Sequence, residues 1–197
     1  SNKKGGYLAL GERSFTHMQG LFFFDEVDFA PYKTVENIVL DQKMVSIRNS
    51  FATVERVYEN ASEETFSMFN NTLFYSVKNY TGKIVLDLDF RSIFDYDVKG
   101  RIYSVVREDD YIIIRYDKYS DDSLSTIAKT RFLVVKGASG CEAVAEWEKK
   151  NYSYDEKRGS KSEFYTYKAI AIPVSGNLNL VFSFGKTLEE AKEITNK

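Results

Sequence analysis

The strongest constraint on this chain is strict alternation of side-chain character. In Lys83-Ile84-Val85-Leu86-Asp87-Leu88-Asp89-Phe90-Arg91, the residues Ile84, Leu86, Leu88 and Phe90 share one face of an extended strand, while Asp87, Asp89 and Arg91 share the other. Successive strand residues point to opposite sides, so the pattern predicts a core face and a wet face. Comparable segments recur at residues 35–40, 44–48, 53–58, 73–78, 101–107, 111–116, 132–136, 164–172 and 178–184. Turn signals at Tyr80-Thr81-Gly82, Lys99-Gly100, Asp109-Asp110 and Ser175-Gly176-Asn177 separate several of them. Many strands with short connections imply antiparallel pairing, and two such sheets bury their apolar faces against each other. The expected class is all-β: a large antiparallel two-sheet β-sandwich, supersandwich-like, with one or two short helices.

Those helices are expected where a hydroxyl and a glutamate three residues apart form a capping box, at Ser139-x-x-Glu142 and Thr187-x-x-Glu190. The second runs into the chain end. The division expected is a sandwich over residues 1–187 and, over 188–197, the start of a helical linker toward a catalytic domain that this sequence does not include.

With 197 residues, 43% hydrophobic and 28% charged, the composition is that of a globular domain. No run approaches the roughly 20 apolar residues of a membrane span, and the opening Ser1-Asn2-Lys3-Lys4-Gly5-Gly6 leads into no apolar leader segment. The net charge of -2 is spread without a basic stripe, which argues against nucleic acid as a partner. A single cysteine, Cys141, permits no internal disulfide and no multi-thiol metal site. The simplest expectation is a cytoplasmic protein without metal or cofactor, in which the four glycosylation sequons at Asn60, Asn70, Asn79 and Asn151 are fortuitous.

Chemistry is limited by inventory. His17 is the only histidine, and with no partner identifiable near it in sequence it reads as a packed or surface imidazole. Cys141 would sit in the first turn of the helix opened by Ser139, buried beside Val144 and Ala145. The run Asp95-Tyr96-Asp97-Val98-Lys99-Gly100 resembles the start of a calcium loop, but Lys99 replaces an oxygen ligand, and a turn explains it better. Asp87 and Asp89 read as a solvated strand face. The least ordinary segment is Trp147-Glu148-Lys149-Lys150-Asn151-Tyr152-Ser153-Tyr154-Asp155-Glu156-Lys157-Arg158-Gly159, where aromatic and charged groups leave a helix and enter a loop. As a structural element it would anchor the helix through Trp147, cover a sheet edge with Tyr152 and Tyr154, and pair Glu156 with Arg158. As a functional one it would rim a ligand or a domain interface.

Three segments in order resemble the N-terminal domain of bacterial and archaeal glycogen-debranching enzymes of the amylo-α-1,6-glucosidase type. They are Gly5-Gly6-Tyr7-Leu8-Ala9-Leu10 followed by Met18-Gln19-Gly20-Leu21, then Leu86 to Asp95, then Trp147 to Gly159. The second part of the first segment keeps the family's glycine and leucine and lacks its histidine. The resemblance implies a non-catalytic sandwich that assists α-glucan binding and packs on an (α/α)6 barrel of the same parent chain, which hydrolyses α-1,6 branch points. The acid and base carboxylates would belong to that barrel, so no catalytic residue is carried over. Candidate ligand or interface residues are Trp147, Tyr152, Tyr154, Glu156 and Arg158, with Tyr7 and His17. The alternative is a self-contained carbohydrate-binding or protein-interaction β-sandwich.

Overall fold

A computed structural model describes residues 5–50, 53–121 and 124–196. Residues 1–4, which include most of the chain's opening, and residue 197, the end of the expected linker, lie outside them. The described elements, in order, are β1 (Tyr7–Ala9), β2 (Gly20–Asp25), β3 (Ala30–Leu40), β4 (Met44–Asn49), β5 (Thr53–Tyr58), β6 (Glu63–Phe69) and β7 (Thr72–Ser92). They continue with β8 (Arg101–Glu108), β9 (Tyr111–Tyr119), β10 (Ile127–Lys136), β11 (Glu142–Asn151), α1 (Ser153–Lys157), β12 (Glu163–Gly185) and α2 (Leu188–Thr195). The strands form one twelve-stranded system in which every pairing is antiparallel.

Two long strands organise it. β7 and β12, of 21 and 23 residues, pair from Tyr167 opposite Leu88 to Ser183 opposite Thr72. The second half of β7 carries β3, β2 and β1, and the first half of β12 carries β11. The first half of β7 carries β6, β5 and β4, and the second half of β12 carries β10, β9 and β8. These two groups are the layers of a sandwich. Tyr103 of β8 stacks on Tyr167 with centroids 4.9 Å apart and lies 5.7 Å from Trp147 of β11, while Phe90 of β7 lies 5.3 Å from Tyr116 of β9. Such contacts bring together strands far apart in pairing order, which requires the sheet to fold over onto itself. The enclosed core runs through Leu86, Leu88 and Phe90 to Ile112, Ile114, Leu133, Val135 and Phe182.

The all-β sandwich class expected from alternation is the class observed, but the two glycine-bearing turns at Tyr80-Thr81-Gly82 and Ser175-Gly176-Asn177 are not chain reversals. Thr81 pairs with Ser175 and Tyr80 with Gly176, so both signals lie at one level of the paired long strands, where these pass from one layer to the other. A β-carbon on Gly82 would stand 2.5 Å from the Tyr80 hydroxyl, and Gly176 has a φ of +91°. The turn-forming residues supply a bend within a continuous ladder.

The helix expected after Ser139 is also corrected. Residues 142–151 form β11, paired with β12 through Trp147 opposite Tyr167 and Asn151 opposite Glu163. Glu, Ala and Lys favour a helix locally, but an available strand edge overrides a preference of a few tenths of a kcal/mol per residue. A bulge between Ala143 and Glu146, with Ala145 at φ 56°, marks the compromise. Cys141 therefore precedes a strand, lies partly against the core, and has its thiol pushed up by burial. β2 is absent from the expected strands because Leu21-Phe22-Phe23 is apolar on both faces and fully buried, leaving no alternation to read.

The Thr187 box forms: the Thr187 hydroxyl accepts from the Glu190 amide at 3.2 Å, and the Glu190 carboxylate accepts from the Lys186 amide at 3.0 Å. The helix does not leave the sheet. Ala191 is fully buried against Ile113 and Val134, and its carbonyl accepts from the Ser183 hydroxyl at 2.7 Å. In the acidic run before β8, the Asp95 and Asp97 carboxylates accept from the amides of Asp97 and Lys99, which makes successive side-chain-closed turns. No helix among the described residues is long and apolar enough to cross a membrane.

Candidate functional site

The face of β7 opposite the core is not wet. Asp87, Asp89 and Arg91 are 1, 0 and 3% exposed. They are covered by the segment between β1 and β2 and by the chain around α1, and with β3 they form a buried polar layer. Asp89 is its centre: it meets Arg91 Nε at 2.8 Å, Lys33 Nζ at 3.1 Å and Arg101 Nη2 at 3.0 Å. Burial alone would raise this carboxyl, but Arg91, Lys33 and Arg101 together hold it well below the usual range.

The same cations hold the covering loops. The His17 carbonyl accepts from Lys33 Nζ at 3.1 Å and from Arg91 Nη2 at 2.7 Å. The His17 ring lies 5.0 Å from Phe164 and 5.5 Å from Tyr96, and its Nδ1 is 2.7 Å from Asp155 Oδ2, which also accepts from the His17 amide at 2.8 Å. Thr16 Oγ1 and Arg158 Nη2 donate to the other oxygen of Asp155, at 2.8 and 2.6 Å. Desolvation lowers the His17 pKa, with Arg91 and Lys33 adding to the effect and Asp155 opposing it. A neutral imidazole donating from Nδ1 to an ionised Asp155 fits both sets of contacts. His17 and Asp155 thus latch two loops together.

The candidate residues divide accordingly. Tyr152 is fully buried beneath the latch, with Lys33 5.8 Å from its ring centroid. Tyr7 stacks on Phe22 and donates to the Met18 carbonyl at 3.3 Å. Tyr154 is exposed at the surface, its amide donating to the Phe15 carbonyl at 3.0 Å and its ring lying 4.8 Å from the Arg158 guanidinium. Arg158 pairs with Asp155 and not with the expected Glu156, whose side chain is exposed. Trp147 stands apart on β11, packed on Tyr103, Tyr167 and Arg101. It anchors a strand and not the expected helix. The segment from Tyr152 to Gly159 leaves that strand and begins with α1.

Two depressions flank the latch. One, open and about 480 Å³, is lined by His17, Tyr96, Arg158 and Lys161. The other is a cleft of about 220 Å³ between β3, β7 and the end of β11, with Glu36, Asp87, Lys150 and Tyr152 among its walls. Asp87 meets Lys150 at 3.1 Å. Its burial pushes the carboxyl up to about 6, Lys150 and Thr166 oppose the rise, and the neighbouring Glu36 adds to it. Glu36 and Asp87 were not among the candidates, because on one strand at a time each looks like an outward-facing charge. The available signal was on β7 alone, where Asp87, Asp89 and Arg91 stand opposite the apolar Ile84, Leu86, Leu88 and Phe90; on β3 strict alternation puts Lys33 and Glu36 on opposite faces, and only the register irregularities bring them together.

Neither a protein-family model nor a curated protein matches this chain.

Proposed function

We propose that this domain is the non-catalytic N-terminal sandwich of a glycogen-debranching-type glycoside hydrolase. It assists α-glucan binding and packs on an (α/α)6 barrel of the same parent chain in the cytoplasm. The observation that supports the reading is the aromatic rim around the latch: Phe15, Tyr96 and Tyr154 are 45, 42 and 53% exposed, the buried His17–Asp155 contact joins the segments that carry Phe15 and Tyr154, and the His17 ring lies 5.5 Å from Tyr96. Rigid, half-exposed rings flanked by Arg158 and Lys161 offer flat apolar faces to sugar rings and donors to their hydroxyls. Holding the rings in place beforehand reduces the ordering cost of binding.

The test is calorimetric titration of the protein with linear and branched malto-oligosaccharides. Binding is expected, and Tyr154→Ala should weaken it about fivefold, the loss of about 1 kcal/mol of ring contact. Wild-type protein that binds none of these glucans would refute the glucan role. The parent assignment is tested by the natural reading frame: several hundred further residues with helical periodicity are expected, and a stop directly after Lys197 would exclude it.

A further inference from the structure

The latch uses one ring nitrogen of His17 and leaves the other without a partner. Nδ1 lies 2.7 Å from Asp155 Oδ2, and no group among the described residues closes a hydrogen bond on Nε2. The His17 side chain is only 5% exposed. The fully sealed polar atoms without a partner lie elsewhere, on residues such as Glu36, Asp87 and Tyr152, so the small part of His17 that stays exposed includes Nε2. It opens on the depression of about 480 Å³ that His17 lines with Met18, Tyr96, Arg158, Ser160 and Lys161.

The state of this nitrogen is set before anything binds. Asp155 accepts from the His17 amide, Thr16 Oγ1 and Arg158 Nη2 as well as facing the ring, so it is a fixed acceptor that keeps the proton on Nδ1 and the lone pair on Nε2. Phe164, stacked at 5.0 Å, and Tyr96, edge-on at 5.5 Å, hold the ring in that orientation. The charged and titratable groups around it are Asp155 of α1, Arg158 directly after α1, Lys33 of β3, Arg91 of β7, Tyr96 before β8 and Lys161 before β12. Desolvation, with Arg91 and Lys33, outweighs Asp155 and favours the neutral ring. A neutral imidazole locked in this tautomer acts at Nε2 as an acceptor.

The walls supply donors. Arg158 gives Nη2 to Asp155 while its side chain stays 45% exposed, and Lys161 Nζ donates to the Tyr96 carbonyl with further N–H groups to spare. An occupant therefore has to donate to Nε2 and accept from Arg158 and Lys161. A carboxylate or a phosphate dianion only accepts, and an ammonium group meets two like charges. A hydroxyl does both without charge, and the volume falls within the range of small-molecule sites.

We infer that His17 is the specificity-determining acceptor of this depression: its Nε2 accepts a hydroxyl from a neutral sugar unit whose other oxygens take Arg158 and Lys161. The inference deepens the glucan-assisting reading and rests on it only for which sugar is bound. Because the hydroxyl donates to the neutral ring, binding weakens as pH falls through the titration of His17, and bound sugar in turn moves that titration to lower pH.

His17 is the only histidine, so its ring signals identify themselves. The experiment follows its ring nitrogen and Hε1 resonances by NMR from about pH 5 to about pH 8, across the usual range of an imidazole. Spectra are taken without ligand and with maltose, myo-inositol or inorganic phosphate, beside calorimetric titration with each. Maltose at about ten times its Kd should displace the Nε2 resonance and lower the His17 midpoint by about one pH unit. His17→Asn places an amide nitrogen where Nδ1 stands, which keeps a donor for Asp155 and removes the Nε2 acceptor. Maltose should bind it about tenfold more weakly. If His17→Asn does not fold, the wild-type titration still decides. Maltose bound with the His17 midpoint unmoved or raised, or bound equally well by His17→Asn, would overturn the inference and leave the glucan reading standing. A midpoint lowered by myo-inositol, with no maltose bound, would uphold the acceptor and refute the glucan reading. A midpoint moved by neither neutral polyol, or raised by phosphate alone, would overturn the acceptor.

Discussion

At the scale of single residues, two aspartates two positions apart on β7 have opposite energetic roles. Asp89 is surrounded by Arg91, Lys33 and Arg101, so Asp89→Asn leaves three buried cations undercompensated. It should destabilise the fold by about 3–5 kcal/mol, read as a lower denaturation midpoint at unchanged slope. Asp87 has one cation, Lys150, and a carboxylate neighbour, and its carboxyl is raised from 3.8 to about 6. That rise amounts to about 3 kcal/mol against the charged form, so Asp87→Asn, which mimics the neutral acid, should leave stability at pH 7 unchanged or higher. Destabilisation by Asp87→Asn comparable to that by Asp89→Asn would contradict this assignment. Nothing in the period-two pattern separates these residues. Alternation specifies which face a side chain takes, and the covering of that face comes from Tyr152, 63 or more positions away in the chain, and from His17, 70 or more positions away in the other direction.

Among elements, β2 and β3 depend on Gly20. Its φ is +128°, and an added β-carbon would stand 2.5 Å from the Val35 carbonyl oxygen and 2.7 Å from the Lys33 side chain. Gly20→Ala should therefore cost about 2–4 kcal/mol and lower the melting temperature by roughly 5–15 °C. Gly140→Ala, where nothing lies within 4 Å, should change it little. Equal effects would remove the close approach as the reason for glycine. Elements were legible where one sequence signal had one structural meaning, as in the alternating residues 84–90 or the Thr187 box. They were misread where a signal had two. Gly82 and Gly176 mark a bend as readily as a reversal, and the Glu, Ala and Lys of β11 suit a helix until β12 offers an edge. The candidate site was legible in part: the Trp147 to Gly159 segment does carry Lys150, Tyr152, Tyr154 and Arg158 to the latch and the cleft. The partners that give these residues their roles, Lys33, Glu36, Asp87 and Asp155, are joined only by tertiary pairing.

For the whole molecule, the latch and the cleft make opposite demands on pH. His17 faces Asp155, Arg91, Lys33 and Tyr96, and its pKa is lowered from 6.5. Below pH 6.5 the unfolded chain takes up this proton more readily than the folded one, so the histidine's contribution to stability is present above 6.5 and is lost on acidification. Asp87 behaves conversely. Its folded carboxyl, raised to about 6, takes up a proton before the unfolded group at 3.8, so stability is gained as pH falls through about 6. Glu64, raised chiefly by burial and held by Arg56, Tyr58 and Tyr75, acts in the same direction as Asp87. Between pH 7 and 5 these slopes oppose each other in the wild type. The latch itself should still weaken, because its proton uptake is local. Hydrogen-exchange protection of the His17 amide, bonded to Asp155, and of the Tyr154 amide, bonded to Phe15, should fall over this interval while that of core strands holds. Asp87→Asn removes one opposing slope, so its melting temperature should fall further, or rise less, on acidification than the wild type's. A wild-type melting temperature that falls steeply from pH 6.5, with an identical fall in Asp87→Asn, would show that Asp87 is not the opposing group.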